Sequence, residues 1–220
     1  MEPHEALDLA DYRRRVFDLY AAVRAATPEA GREMWQAGRD ALLAHHPQSA
    51  LEPDDRVGFR GLQYFPYDPA FRVEAALEQA PEWQGVIAHS AAGTTPFRRV
   101  GLVTVELPGG AASLPVYWLD TYGGGMFLPF RDGTAGATTY GGGRYLLDTA
   151  KGADLGMNED RIVLDFNFAY HPSCVYSSRW SCPLAPPESH IPVSVEAGER
   201  LEDDVRGEPR SGPGSVSATA

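Results

Sequence analysis

Lysine is almost absent from this 220-residue chain, because Lys151 is its only lysine and arginine supplies the rest of the basic charge. Acidic residues outnumber basic ones by 30 to 19, which gives a formal net charge of −11 at pH 7. Nucleic acids and anionic membranes both attract clustered positive charge. The charge balance therefore argues against a nucleic-acid partner and against a membrane partner.

Long apolar runs are also missing. No stretch approaches the 18 or so consecutive apolar residues of a membrane-spanning helix. Residues 1–15 lack the apolar stretch that follows a basic start in a secretory signal peptide. These absences predict a cytoplasmic protein. Cysteine is scarce as well, and in a reducing cytoplasm Cys174 and Cys182 are expected to stay free unless they have a redox or metal-binding role.

What the chain does contain is typical of one folded, loop-rich domain. Apolar residues make up 43% and aromatic residues 10%, with 23 glycines and 18 prolines. A chain of this length can bury one sizeable core. We expect a helical hairpin over residues 1–50, a β-rich domain over 51–200, and a disordered polar tail over 201–220. The acidic residues 199–204 adjoin that tail, which is not expected to pack.

Two helices are predicted at the start of the chain. Apolar residues recur every three or four positions between residues 5 and 26, as on one face of an α-helix; they are Leu9, Tyr12, Val16, Leu19 and Val23. The sequence Thr27-Pro28-Glu29 then has the residue types that suit an N-cap, a first helical position and a first-turn acid. The second helix is predicted to run to about His45.

From Val57 onward the pattern predicts strands. Short β-branched or aromatic runs alternate with turn-forming residues; these runs are Phe59–Phe65, Val86–His89, Arg99–Glu106, Leu114–Leu119, Met126–Phe130, Arg144–Asp148 and Ile162–Phe166. Pro108-Gly-Gly110 separates two of them and indicates a hairpin. The fold class is therefore mainly β (α+β), an antiparallel barrel or sandwich of about seven to nine strands. Residues 71–82 are predicted to form a short helix.

Two glycine triplets could suggest phosphate binding, but neither fits a nucleotide-binding pattern. The first spans residues 123–125, and the second comprises Gly141, Gly142 and Gly143. Both are predicted to be structural, as bends that need positive φ or close backbone approach. Arg144 follows the second triplet directly, and it could bind an anionic ligand bidentately. Pairing with Asp148 or Asp165 is the alternative for this side chain.

The segment 165–188 is the main candidate site. Asp165 and Asn167 lie two residues apart at the end of a predicted strand, so their side chains share one face. Pro172 disfavours a helical conformation at His171 and keeps the chain extended. Since later prolines have the same effect, we expect an irregular but ordered segment that covers one end or edge of the sheet.

Three interpretations of the two cysteines stay open. In the first, a structural zinc ion is bound by two thiolates and two imidazoles, from His171, Cys174, Cys182 and His190, although the cysteine spacing is wrong for a zinc knuckle. In the second, Cys174 is a nucleophile activated by His171, with Asp165 or Asn167 orienting the imidazole. In the third, both thiols are structural, as small buried groups or as a pair able to form a disulfide. No metal and no other cofactor is predicted.

Several motifs together resemble a bacterial family of uncharacterised proteins, a domain of unknown function. They include Thr139-Tyr-Gly-Gly-Gly-Arg-Tyr145, Asp165-Phe-Asn167 and Cys182-Pro-Leu-x-Pro-Pro-Glu188, and the match covers roughly residues 10–200. The resemblance implies no activity. It favours one shared set of residues: Arg144, Tyr145, Asp165, Asn167, Tyr170, Cys174, Cys182 and Glu188. Relatives often have Asn in place of His171, which weakens both the zinc set and the Cys174–His171 pair.

The leading prediction is a pocket for a small polar or anionic molecule, closed by the segment 165–188. Six side chains are predicted to line it: Arg144, Tyr145, Asp165, Asn167, Tyr170 and Glu188. One alternative is a non-catalytic structural or interaction module in which these residues only stabilise the fold. Another is an enzyme that uses Cys174, His171 or a carboxylate such as Asp165. Whether the protein is an enzyme, and its oligomeric state, are left open.

Overall fold

A computed structural model describes residues 1–201, so the predicted disordered tail lies outside the described residues apart from Leu201. The chain begins with helices α1 (Pro3–Arg24) and α2 (Pro28–His45), joined by a three-residue turn. Thr27 caps α2, since its Oγ1 accepts the N–H of Ala30 at 3.4 Å, and Pro28 takes the first helical position. The predicted helical hairpin is confirmed. Neither helix is long and apolar enough to cross a bilayer.

Ten strands follow in the described part of the chain, and every pairing among them is antiparallel. They are β1 (Gln63–Tyr64), β2 (Arg72–Ala76), β3 (Gln84–Ala88), β4 (Thr94–Leu107), β5 (Gly110–Leu119), β6 (Met126–Phe130), β7 (Arg144–Asp148), β8 (Met157–Asn158), β9 (Arg161–Asp165) and β10 (Glu199–Arg200). The α+β class with antiparallel sheets is confirmed.

The strands form three sheets. The largest has the order β3-β4-β5-β6-β7, the second has the order β2-β9-β8, and β1 pairs with β10. Among the described residues, each sheet has two edge strands that do not pair with each other, so none of the three sheets closes into a barrel. The predicted hairpin is present where Leu107 pairs with Gly110, and Gly109 at its bend has φ +92°.

The predicted helix over residues 71–82 is wrong, because its first half is strand β2. Arg72 pairs with Asp165 and Ala76 pairs with Arg161 of β9. Phe71 and Ala75 are buried in the core and Val73 packs against it, whereas Arg72 and Glu74 are not part of that cluster. This period of two is the signal of a strand, and pairing with β9 favours it over a helix.

The two larger sheets share one hydrophobic core. Its buried side chains come from β4 to β7 on one side, from β2 and β9 on the other, and from the chain after Phe166; they include Val103, Leu114, Leu128, Phe130, Leu147, Leu164, Phe166, Ile191 and Val195. A second cluster attaches the helices. Tyr20, Val23 and Trp35 pack there against Ala153 and Phe168. The helical hairpin thus lies against the residues that follow β7 and β9.

Candidate functional site

A cavity of about 770 Å³ lies between the helical hairpin and the β-rich part. Side chains of α1 and α2 form one wall. The turn between β5 and β6, the turn after β7, and residues 170–183 form the others. Residues 170–183 of the predicted covering segment therefore form one wall of the cavity, and the helical hairpin forms another.

The cavity lining is aromatic and basic. Its aromatic side chains are Tyr12, Phe17, Tyr20, Trp118, Tyr122, Tyr145, Tyr170, Tyr176 and Trp180. Arg13, Arg39 and Lys151 line it too, whereas no Asp or Glu of the described residues does. In a chain with 30 acidic residues and a net charge of −11, this lining differs from the rest of the molecule. The lining thus combines apolar rings with positively charged side chains.

Arg39 and Glu199 form a buried ion pair beside the cavity. Arg39 Nε donates to Glu199 Oε1 at 2.6 Å, and Nη2 contacts the same oxygen. The other carboxylate oxygen accepts from Tyr176 Oη at 2.9 Å and from the backbone N–H of His171 at 2.6 Å. Burial lowers the pKa of Arg39, but the Glu199 carboxylate and the nearby tyrosine hydroxyls together raise that pKa well above its usual value. The guanidinium lies 4.8 Å from the ring centre of Tyr170.

Glu199 belongs to the acidic stretch next to the predicted tail, yet its side chain is buried. Its exposed fraction is 0%. Its N–H donates to Ala169 O at 2.8 Å, and Tyr64 pairs with it across the β1–β10 ladder. The last described residues therefore hold α2, β1 and the segment after β9 together. The sequence did not indicate that Glu199 is buried, because an acidic stretch before a polar tail is typical of an exposed region.

His171 is buried and does not act on Cys174. Its Nε2 accepts the N–H of Tyr140 at 3.3 Å, and its Nδ1 lies 3.5 Å from Glu199 Oε2. Burial lowers the pKa of His171 well below its usual value, and the charges of Arg144 and Arg39 lower it further. The ring is therefore neutral at pH 7, with its proton on Nδ1. The predicted base for the cysteine is engaged elsewhere.

Tyr145 and Tyr170 are the two predicted ligand-binding residues that do line the cavity. They exchange backbone hydrogen bonds of 2.9 and 3.1 Å at the outer edge of β7. Their rings meet edge to face at 5.7 Å, and Tyr145 Oη donates to Pro183 O at 2.5 Å. This contact fixes the position of residues 170–183 relative to the sheet.

Arg144 lies in the interior instead, with an exposed fraction of 0%. Its guanidinium donates to the carbonyl of Val195 at 2.8 Å, to that of Glu199 at 3.1 Å, and to that of Ala197. It also contacts Asp132 Oδ1 at 3.3 Å. Neither of the acids predicted as partners, at positions 148 and 165, is its partner. Arg144 was predicted to bind a ligand, but its guanidinium binds backbone carbonyls of residues 195–199 instead.

Asp165 and Asn167 are likewise enclosed. Asp165 Oδ1 accepts from the Asn167 backbone N–H at 3.0 Å and from its Nδ2 at 2.8 Å, while Arg72 contacts Oδ2 at 3.2 Å. Asn167 also bonds both backbone groups of Asp68. Burial raises the pKa of Asp165. Glu188 is exposed and accepts from Tyr117 Oη at 2.9 Å. These three residues do not line the cavity.

The glycine triplet before Arg144 lets the covering segment approach the sheet. Gly142 O accepts the N–H of Ala185 at 3.0 Å. A Cβ on Gly142 would lie 2.8 Å from a methyl carbon of Leu184, and one on Gly143 would lie 2.6 Å from Phe130 O. Gly143 also has φ +99°. A side chain at either position would displace residues 184 and 185.

Gly143→Ala is expected to lower the free energy of unfolding by about 3 kcal/mol, from overpacking and a backbone conformation that alanine disfavours. Gly136→Ala is the matched control. It has φ +82° with nothing within 4 Å of an added Cβ, so only about 1 kcal/mol is expected. Denaturant unfolding measures both. Equal losses would contradict the close approach at Gly143.

The two thiols are free and close together, and both are half-buried. A hydrogen bond from Cys182 lowers the pKa of Cys174 to about 6, against the effect of burial, and Ser90 and Tyr140 lower it further. The same hydrogen bond raises the pKa of Cys182. The polar contacts of the His171 and Asp165 side chains go to Tyr140, Glu199, Asn167 and Arg72, so neither residue is bonded to Cys174 as the predicted triad requires.

The zinc alternative fails as well. Within residues 1–201, no group of three or more His, Cys, Asp or Glu side chains is arranged to hold a metal ion. His171 contacts Glu199 and Tyr140, and His190 bridges to Arg131. The four side chains of that set are therefore not brought together.

Comparison with known proteins places the chain in a family. The sequence profile described as protein of unknown function (DUF1684) matches residues 57–200. The chain belongs to the DUF1684 family. The DUF1684 match begins after the helical hairpin, so it is shorter than the resemblance from about residue 10 had suggested. Since the cavity lies between the hairpin and the matched part, both contribute walls.

One similar solved structure is the solution NMR structure of the uncharacterized protein from gene locus rrnAC0354 of Haloarcula marismortui. It is 34% identical to this chain, with a TM-score of 0.58. The alignment covers 80% of this chain and 95% of that one. A search of curated proteins found no match.

Proposed function

We propose that this protein binds a small apolar or aromatic carboxylic acid in the cavity between the helical hairpin and the sheet. The observation that carries the proposal is the lining, which is aromatic, has three cationic side chains and has no acidic one among the described residues. A volume of about 770 Å³ is within the range of small-molecule sites. The scaffold that we infer for the site is a sandwich-like pair of sheets with a shared core.

The acidic group of the ligand binds at Arg13 and Lys151. Arg39 is already neutralised by Glu199, so it contributes less net charge. Arg13 Nη2 donates to Ala150 O at 2.7 Å, a neutral partner. Lys151 is paired with Asp148 at 3.3 Å, but its side chain is far more exposed than that of Arg39, so a ligand can reach it. Both side chains are exposed at the cavity edge, where a carboxylate keeps part of its hydration. The apolar body then contacts the tyrosine and tryptophan rings inside.

The family motif residues have a different role in this proposal. Arg144, Asp165 and Asn167 stabilise the fold by binding backbone groups of distant segments. That is the non-catalytic alternative raised by the sequence, applied to these three residues only. Tyr145 and Tyr170 contact the ligand. The proposal assigns no reaction to the site.

The test is a thermal-shift titration with medium-chain and aryl carboxylic acids, each paired with the alcohol of the same carbon skeleton. A bound acid at a hundred times its Kd is expected to raise Tm by about 5 °C or more, and the alcohol by much less. The shift should decrease with salt, because the paired charges are exposed.

The variant for this test is the double substitution Arg13→Gln/Lys151→Gln, which is expected to weaken acid binding about tenfold or more. Arg14→Gln is the matched control, because Arg14 is on the same helix, pairs with Asp11 and does not line the cavity. If the acids and alcohols bind equally, or if both variants bind as the parent does, the charge argument is wrong. If no acid binds, the proposal is abandoned.

A further inference from the structure

We propose that Ser181 is a nucleophile with His89 as its general base, and that together they hydrolyse a small ester at the edge of the cavity. The observation that carries the proposal is a chain of two hydrogen bonds through three side chains. His89 Nδ1 lies 3.0 Å from Ser181 Oγ, and His89 Nε2 lies 2.7 Å from Thr95 Oγ1. A serine bonded to an imidazole that a third group orients is the arrangement used in nucleophilic acyl transfer. The proposal goes beyond carboxylate binding and rests on contacts that the acid-binding site does not use.

Two paired segments hold the serine beside the imidazole. His89 directly follows β3 and forms an antiparallel bridge with Pro183. Ser90 N–H donates to Cys182 O at 2.9 Å, and Cys182 N–H donates back to Ser90 Oγ at 3.2 Å. These contacts place Ser181, the residue before Cys182, next to the His89 ring. The pair is therefore held by backbone pairing at the end of a sheet rather than by side chains alone.

Thr95 is the positioning residue for the imidazole. It lies on β4 opposite Ile87 of β3, so the sheet fixes its place relative to His89. When the ring proton is on Nε2 and is donated to Thr95, Nδ1 accepts the Ser181 hydroxyl, and this is the tautomer that the reaction uses. Burial lowers the pKa of His89, and the charge of Lys151 lowers it further. The ring is therefore neutral at pH 7 and able to take a proton.

The surroundings of Ser181 favour an ester with an apolar or aromatic acyl group. Ser181 is exposed and also lines the cavity, so its hydroxyl lies at the border between water and the aromatic lining, next to Trp180. The acyl group can enter the cavity while the alcohol faces solvent. A Cβ on Gly93 would lie 3.5 Å from His89 Nδ1 and 3.9 Å from Ser181 Oγ, so the glycine leaves the pair uncovered on that side.

The reaction is ester hydrolysis in two steps, with water as the co-reactant. Ser181 Oγ attacks the ester carbonyl carbon while its proton passes to His89 Nδ1. The bond from that carbon to the alcohol oxygen then breaks, the alcohol takes the proton from His89, and acyl-Ser181 remains. Water attacks the acyl carbon and gives one proton to His89, which returns it to Ser181 as the bond from the carbon to Oγ breaks. The products are an alcohol and a carboxylic acid, the class of ligand proposed for the cavity.

The experiment measures hydrolysis of p-nitrophenyl hexanoate and p-nitrophenyl phenylacetate by the full-length protein. Ser181→Ala and His89→Gln are each expected to lower kcat/KM by at least about a hundredfold. Ser173→Ala is the matched control, because Ser173 lines the same cavity and its hydroxyl has no histidine partner among the described residues. An alkyl fluorophosphonate, which reacts with activated serine hydroxyls, is expected to label Ser181 and not Ser173.

Two variants of Thr95 separate positioning from a merely structural role. Thr95→Val removes the acceptor for the Nε2 proton and is expected to lower kcat about tenfold with little change in KM. Thr95→Ser keeps the hydroxyl and should keep kcat within about twofold of the parent. A purely structural Thr95 would instead lower Tm in Thr95→Val and leave kcat of the folded protein unchanged.

The proposal is overturned if hydrolysis does not exceed the rate in buffer, if Ser181→Ala is as active as the parent, or if the fluorophosphonate labels another residue. Because Ser181 is exposed, Ser181→Ala is expected to keep the Tm of the parent, so its loss of activity will not be due to unfolding. Acid binding without ester hydrolysis would refute only the acyl transfer. Ester hydrolysis without acid binding would refute only the carboxylate site.

Discussion

Glu199→Ala is expected to lower the free energy of unfolding by about 3–5 kcal/mol, because it leaves a buried cation without its partner. The Glu199 carboxylate has an exposed fraction of 0% and accepts hydrogen bonds from Arg39, Tyr176 and the backbone N–H of His171. Without it, the guanidinium and two further donors lose their acceptor in a region that water does not reach.

Denaturant unfolding of three variants tests this prediction. Glu199→Gln keeps the shape and part of the hydrogen bonding, so its loss should be smaller than that of Glu199→Ala. Glu196→Gln is the control, three residues away and exposed, and it should change stability by less than about 0.5 kcal/mol.

A double substitution then measures the coupling. Adding Arg39→Met to Glu199→Ala removes the unpaired charge, so the pair should be less destabilising than the sum of the single changes. Strict additivity, or a loss below about 1 kcal/mol for Glu199→Ala, would show that the ion pair contributes little.

Arg144→Ala is the second change with a large expected effect, again about 3–5 kcal/mol. Asp132 would lose its buried cation, and the carbonyls of residues 195, 197 and 199 would lose their donor. The guanidinium also lies 5.1 Å from the ring centre of Phe130, so its removal leaves a cavity in the core. Arg144→Lys is expected to be destabilising too, because a compact ammonium group cannot reach both Asp132 and the three backbone carbonyls, as the planar guanidinium does.

The control for Arg144→Ala is Arg98→Ala, an exposed position in β4 that should lose less than about 1 kcal/mol. The same variants decide between the two roles considered for Arg144. A structural residue lowers Tm without any ligand present. If Arg144→Ala is as stable as the parent but no longer responds to a carboxylic acid, Arg144 is a ligand-binding residue and its assignment here is wrong.

Much of the fold was predictable because its signals are local. The spacing of Leu9, Tyr12 and Val16 predicted α1, and Thr27 with Pro28 predicted the start of α2. Turn residues such as Gly109 separated the strands correctly. The helix prediction for residues 71–82 failed because local signals do not distinguish helix from strand in so short a segment. Pairing with β9 makes this segment a strand.

The candidate site was less predictable. Sequence reasoning included Tyr145, Tyr170 and the segment that contains them, but it assigned Arg144, Asp165 and Asn167 to the ligand. It missed Arg13, Arg39 and Lys151 as cavity residues. The neighbouring sequence does not distinguish an arginine that binds backbone carbonyls from one that binds a ligand, because both can follow a turn and be partly or fully buried.

The sequence alone determined the two helices, most of the longer strands, and the glycine triplet as a place of close backbone approach. Only the tertiary structure decided which charges are neutralised and which face the cavity. Arg39 and Glu199 are 160 residues apart along the chain, and Arg144 lies 51 residues before its acceptor Val195. Backbone preferences depend on near neighbours, whereas the partner of a charge depends on how distant segments pack, and the chemistry of this site follows from those partners.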